Sequence, residues 1–189
     1  HALHGEQDMR NMGGLRKVMP ITFWTMMIST LAISGIFPFS GFWSKDEILM
    51  TAFHGNIPLW IIGSIASIMT AFYMFRLMYL TFFNDFRGTE EQKHHLHESP
   101  ALITIPLVIL ATLAAIGGAI SLPGNSWLNH YLAPLFKKHE AHHLDGQAYM
   151  LMAIATVGAL VGIGIAYSKY LKKKEIPVAD SEVQGLHKV

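Results

Sequence analysis

Lys45, Asp46 and Glu47 stand side by side in an otherwise apolar stretch, Gly41-Phe42-Trp43-Ser44-Lys45-Asp46-Glu47-Ile48-Leu49. An ionisable group inside a hydrocarbon-spanning segment is costly, so it faces a bundle interior or a hydrated cavity and marks an ion or proton path. Desolvation drives a buried lysine toward its neutral form, and a nearby carboxylate drives it back toward the charged one. Moving a neighbouring charge therefore switches it between holding and releasing a proton, which is what a relay requires. Asp46 is the candidate counter-ion at the next position, and Glu47 lies about 100° further round a helix. The alternative is that all three charges are solvated and idle at the far surface. On a straight helix begun at Pro20, Lys45 would lie about 37 Å along the axis, beyond the hydrocarbon.

Arg76 is the other candidate, inside the apolar run 57–83 with Tyr73 and Thr70 at helical spacings. It pairs with a carboxylate or lines a polar path on one reading, and snorkels to the nearby surface on the other. The eleven histidines include two loop groups, His94-His95-His97 and His139-His142-His143. His139 and His143 have the spacing that can bind zinc on a helix, but no HExxH pattern accompanies them, and solvated loop histidines are the preferred reading. No metal site is assigned.

The elements that must position these residues follow from the apolar runs. Residues 1–19 are polar and form a membrane-flanking loop with Arg10, Arg16 and Lys17. The run at about 20–53 starts at Pro20, where a first helical turn tolerates a missing N–H. It exceeds the ~20 residues that one span needs. Ser34-Gly35-Ile36-Phe37-Pro38-Phe39-Ser40-Gly41 interrupts it near 34–41, predicting two half-helices whose freed backbone groups must be satisfied by protein or water. Further spans are predicted at about 57–83, 101–121 and 148–168. Gly158 and Gly162 in the last, and Gly117-Gly118 in the third, allow close helix packing. The expected architecture is all-α, a polytopic transmembrane bundle of about four spans with the first discontinuous.

Composition agrees: 51% of residues are hydrophobic and only 14% charged, which a soluble surface would not allow. A net charge of +1 without a basic stripe argues against nucleic acid. The absence of cysteine removes disulfides and thiolate ligands for iron–sulfur clusters, so no redox cofactor is expected in this chain, and if the parent machine moves electrons this chain does not carry them. Basic residues in 1–19, at Arg87 and Lys93 in 84–100, and at Lys169, Lys172, Lys173 and Lys174 put these segments on the cytoplasmic side, or on the matrix side in an organelle. The connection at 54–56 and the loop 122–147, with Lys137 and Lys138, fall opposite. The chain opens at His1 without an initiator methionine or signal-peptide pattern and reads as a segment of a longer protein.

The blocks GEQDMRNMGGLRKVMP and LAISGIFPFSGFWSKDEIL resemble the antiporter-like L chains of respiratory NADH:quinone oxidoreductase, strongly over residues 1–85 and through hydrophobic layout beyond. The resemblance implies that Lys45 is the terminal lysine of a series of buried ionisable groups, near the proton exit, with Asp46 as the acid that follows it. It implies proton translocation driven by redox energy from other subunits, with no redox catalysis by this chain. It further implies a bacterial inner-membrane location, other membrane subunits as partners, and a polar tail at 169–189 leading to a truncated lateral helix. The large subunit of a multisubunit sodium/proton antiporter shares the broken-helix plan and is the alternative. An inert membrane scaffold is the third reading.

Overall fold

The computed structural model describes Leu3, residues 5–122, Asn125, Ser126, Tyr131, Pro134 and residues 146–177. His139, His142, His143, Lys137, Lys138 and the tail from 178 lie outside the described residues. Among the described residues six α-helices follow in order: α1 Pro20–Ile33, α2 Ser40–Gly55, α3 Ile57–Phe82, the short α4 Glu90–His94, α5 Ala101–Ile116 and α6 Gly146–Ala166. A 3-10 turn, Gly117–Ile120, extends α5 and leads into a two-residue antiparallel pairing of Ser121–Leu122 with Asn125–Ser126. The architecture is an all-α polytopic bundle whose first span is discontinuous. Three helical stretches, Ile57–Phe82, Ala101–Ala119 and Gly146–Lys172, are long and apolar enough to cross a membrane, and α1 is a shorter apolar helix. Their outward faces carry bare aliphatic side chains such as Leu102 at 87% exposure and Ile62 at 65%, as a lipid-facing surface must.

The interruption has a local cause. Ser34 caps α1, Gly35 follows at φ +73°, and the amides of Gly35 and Ile36 donate to the carbonyls of Ala32 and Leu31 at 3.0 and 3.1 Å. That is the Schellman stop, which needs a left-handed residue just past the helix end and so favours glycine. Gly35 therefore ends α1, and Pro38, after a cis Phe37-Pro38 bond, only prevents the helix from resuming at once. The freed backbone groups, expected to need partners from protein or water, find them in the chain: the amides of Ser34, Gly35, Ile36 and Phe39 donate to the carbonyls of Thr30, Ala32, Leu31 and Ile36.

Close helix contacts are made through glycine. A Cβ at Gly41 would collide with the Ala32 carbonyl oxygen, so the start of α2 lies directly on the end of α1. The α3–α6 contact is the most extensive in the bundle. There, Gly158 meets Ile68, and Gly162 meets the Ile68 carbonyl and the Phe72 amide. Small residues let backbones approach in this way, which is the main attraction available between helices in lipid.

The polar segments gather at one end. The Gly14 amide donates to the Phe83 carbonyl at 2.9 Å, and Arg87 donates to the carbonyls of Arg10, Met9 and Leu80 at 2.8, 3.0 and 2.7 Å. Asn84 donates to the Tyr170 carbonyl at 2.9 Å, and Lys174 pairs with Asp85 at 3.3 Å. The Tyr170 carbonyl belongs to a π-helical stretch, Tyr167–Lys172, that continues α6. Beneath these ties lie Leu15, Met19, Phe23, Met78 and Phe82, packed as one buried cluster, and Phe75, Tyr79, Leu80, Ala166 and Tyr170 as another.

Candidate functional site

α2 carries the lysine-acid cluster, and its helical turn separates the three side chains. Asp46 is buried at 7% exposure, Lys45 is half-buried and Glu47 faces outward. The Lys45 ammonium donates to the Ser67 hydroxyl on α3, Nζ to Oγ 3.4 Å. Ser67 is ten residues from the start of α3 and fifteen from its end, hence about 15 Å and 22 Å from the two ends at 1.5 Å per residue. The amino group thus sits at mid-span depth on α3. The straight-helix count of about 37 Å does not apply, because α1 stops at Ile33 and α2 restarts beside it.

Gly35 contributes a second time: a Cβ there would lie 3.2 Å from Lys45 Cδ. The residue that ends α1 therefore also makes room for the lysine stem. Phe37, Phe42 and Trp43 wall the break in edge-to-face contacts, with ring centroids 5.1 to 5.9 Å apart. Trp43 in turn lies against Gly118, where a Cβ would meet its ring at 2.6 Å. Gly118 thus packs on the break, whereas a Cβ at Gly117 would meet nothing within 4 Å.

Lys45 and Asp46, the candidate counter-ion, make no ion pair among the described residues. Consecutive helical positions diverge by about 100°, which carries the two head groups apart. One Asp46 oxygen, Oδ2, is buried without a hydrogen-bond partner, and so are the hydroxyls of Thr30 and Ser34 at the end of α1. Three unpartnered polar atoms close to a helix break are unusual in a packed interior and call for a role.

Arg76 lies on α3 toward the polar end, its guanidinium carbon 5.5 Å above the Tyr170 ring. Its Nε is buried without a hydrogen-bond partner, and among the described residues no carboxylate pairs with it. Of its helical neighbours, Thr70 donates to the Ala66 carbonyl and Tyr73 is 49% exposed. His94, His95 and His97 are exposed, and no metal-binding group of three is formed among the described residues.

Two contacts, one at the site and one at the polar end, carry little signal in the sequence. Ser67 is one of two serines in an apolar helix, and its meeting with Lys45 depends on how α2 returns along α3. Glu98, from the loop before α5, caps α1: Oε2 accepts from the amides of Ile21 and Thr22 at 2.7 and 3.3 Å, and Oε1 accepts from the Thr22 hydroxyl at 2.6 Å. Partial burial alone would raise the carboxyl's pKa. The bonds from the Thr22 hydroxyl and the Ile21, Ser99 and Thr22 amides outweigh it and hold the group below its ordinary value.

Residues 1–72 match the family described as NADH:quinone oxidoreductase/Mrp antiporter, TM. The chain is 44% identical to the NAD(P)H-quinone oxidoreductase chain 5 of a Picosynechococcus species, over 93% of this chain and 30% of that one. It is 41% identical to the NADH-quinone oxidoreductase subunit L of Mycobacterium tuberculosis, over 90% of this chain and 27% of that one. A third relative, subunit L of Rhodobacter capsulatus, is 41% identical over 76% of this chain and 22% of its own length. The chain spans less than a third of the length of these relatives. On this match and these identities, the chain is similar to the antiporter-like membrane chains L and 5 of NADH:quinone oxidoreductases.

Proposed function

We propose that this chain is part of the proton-translocating membrane arm of an NADH:quinone oxidoreductase, with Lys45 as a proton-carrying group on the exit side. The observation that carries this reading is the Lys45 amino group held at mid-span depth against Ser67, beside the buried Asp46, whose Oδ2 has no hydrogen-bond partner. A lysine there alternates between charged and neutral forms as charges move nearby, and the helix break gives water a way to reach it. Asp46 acts as the nearby charge without clamping the lysine. Glu47, facing outward, and Arg76, over Tyr170, are secondary members of the polar series. No covalent chemistry is assigned to the chain, and redox cofactors belong to other subunits, which are its partners along with the lipid bilayer. The location that fits is a bacterial inner membrane, with the end bearing Arg87 and Lys174 on the cytoplasmic side.

The test is proton pumping and NADH oxidation by the complete assembled complex carrying Lys45→Ala, reconstituted in vesicles. We expect pumping to fall at least tenfold with normal assembly, while unchanged pumping at normal turnover would make Lys45 a structural residue. The matched family also includes Mrp antiporters, which keeps a sodium/proton antiporter subunit as the second reading. Transport that requires sodium and proceeds without NADH would favour it.

A further inference from the structure

We propose that Ser67 is the positioning residue for Lys45, a two-way hydrogen-bond partner that serves the amino group in both its protonated and its neutral form. This inference rests on the relay reading above. A carboxylate can only accept, so it stabilises an ammonium and offers a neutral amine nothing to bind through its lone pair. A hydroxyl can do both: it accepts from the ammonium and, after rotating, donates to the neutral amine. A relay lysine needs the second kind of partner, because a partner that satisfied only the charged form would trap the proton.

Three observations assign this role to Ser67. Its Oγ is 3.4 Å from Lys45 Nζ, whereas Asp46 makes no ion pair with that nitrogen among the described residues. Its hydroxyl proton is uncommitted. Thr25, Thr51, Thr70, Thr112 and Thr156 each donate to the carbonyl four residues back on their own helix, and Ser67 makes no such bond. Finally, its height is fixed. The neighbouring Ile68 is held against Gly158 and Gly162 of α6, and Gly63, one turn earlier on α3, meets Leu49 of α2.

Few other groups compete at this place. α1, α5 and the turn after α5 contain no titratable residue. α3 carries Tyr73, Arg76 and Tyr79, all at least six residues beyond Ser67 toward the polar end, and α6 carries Tyr149 near its opposite end, 58% exposed. On α2 itself, Asp46 is buried beside the lysine, Glu47 faces outward and His54 contacts the Met50 carbonyl.

The experiment compares Ser67→Ala, Ser67→Thr and Lys45→Ala in the complete assembled complex, reading protons pumped per NADH oxidised across a pH series. A hydrogen bond to a charged donor is stronger than one to a neutral group, so removing the hydroxyl weakens the lysine's hold on its proton. We expect Ser67→Ala to move the alkaline limb of the pumping profile down by about one pH unit, a tenfold change in proton affinity, with normal assembly and NADH oxidation. Ser67→Thr, which keeps the hydroxyl, should restore the profile. If Lys45→Ala abolishes pumping but Ser67→Ala leaves the profile unmoved, the role of Ser67 is overturned and the relay stands. If Lys45→Ala has no effect, both are overturned. If Ser67→Ala and Ser67→Thr impair pumping equally at every pH, Ser67 is only a packing residue.

Discussion

At the scale of single residues, burial separates three charges that are adjacent in the chain. Asp46 is nine-tenths hidden and Glu47 is turned to the outside. Asp46→Asn keeps the shape and removes the charge. Because Oδ2 has no partner to lose, we expect stability to change by less than about 1 kcal/mol while pumping falls severalfold. Glu47→Gln should alter pumping by less than twofold. Thermal denaturation and vesicle pumping on the same preparations separate the two effects, and equal loss from both variants would contradict the division of roles. In the sequence the cluster was visible as three charges in an apolar setting. Which of them turned inward was not, because that depends on where α2 lies relative to α3 and α1.

At the scale of elements, the break depends on Gly35 more than on Pro38. Gly35→Ala places a Cβ at φ +73° and 3.2 Å from Lys45 Cδ, a combination that strains the backbone and displaces the lysine stem. A left-handed conformation costs a residue with a Cβ about 1–2 kcal/mol, so the melting temperature of the assembled complex should drop and pumping with it. Pumping at the normal level would show that the stem does not need that space. The break itself was legible, since proline and glycine inside an overlong apolar run have few other meanings in a membrane segment. The Schellman geometry was hidden, because either Gly35 or Gly41 could have ended α1. Gly41 turned out to serve packing against Ala32.

At the scale of the whole molecule, Glu98 and Arg87 bind the polar end into one unit. Arg87 joins the segment before α1 to the end of α3 through three carbonyls, and Glu98 ties the loop 84–100 to the start of α1. Because the Glu98 carboxyl is held below its ordinary value of 4.5 in the folded state, its contribution is fully present above that value. It is lost as pH falls through the lowered folded value. We therefore expect amide exchange at Ile21 and Thr22, corrected for intrinsic rates, to remain slow at neutral pH and to accelerate only in acid, below the ordinary carboxyl value of 4.5. Glu98→Gln should make both amides fast at neutral pH. Exchange unaffected by that change would show that the loop is held by other contacts.

The sequence by itself determined the class of this protein and the chemistry available to it. Apolar runs of bilayer length admit only helices with internally satisfied backbones, and the few charges inside them can persist only at polar or hydrated places. It also determined that α1 could not run on unbroken. The tertiary structure decided the depth of Lys45 and its partner. Both depend on α2 restarting beside the end of α1 and running back along α3, a relation set by glycine contacts between residues far apart in the chain. Local sequence fixes the angle between neighbouring side chains on one helix. Only packing between helices fixes which of them meets Ser67.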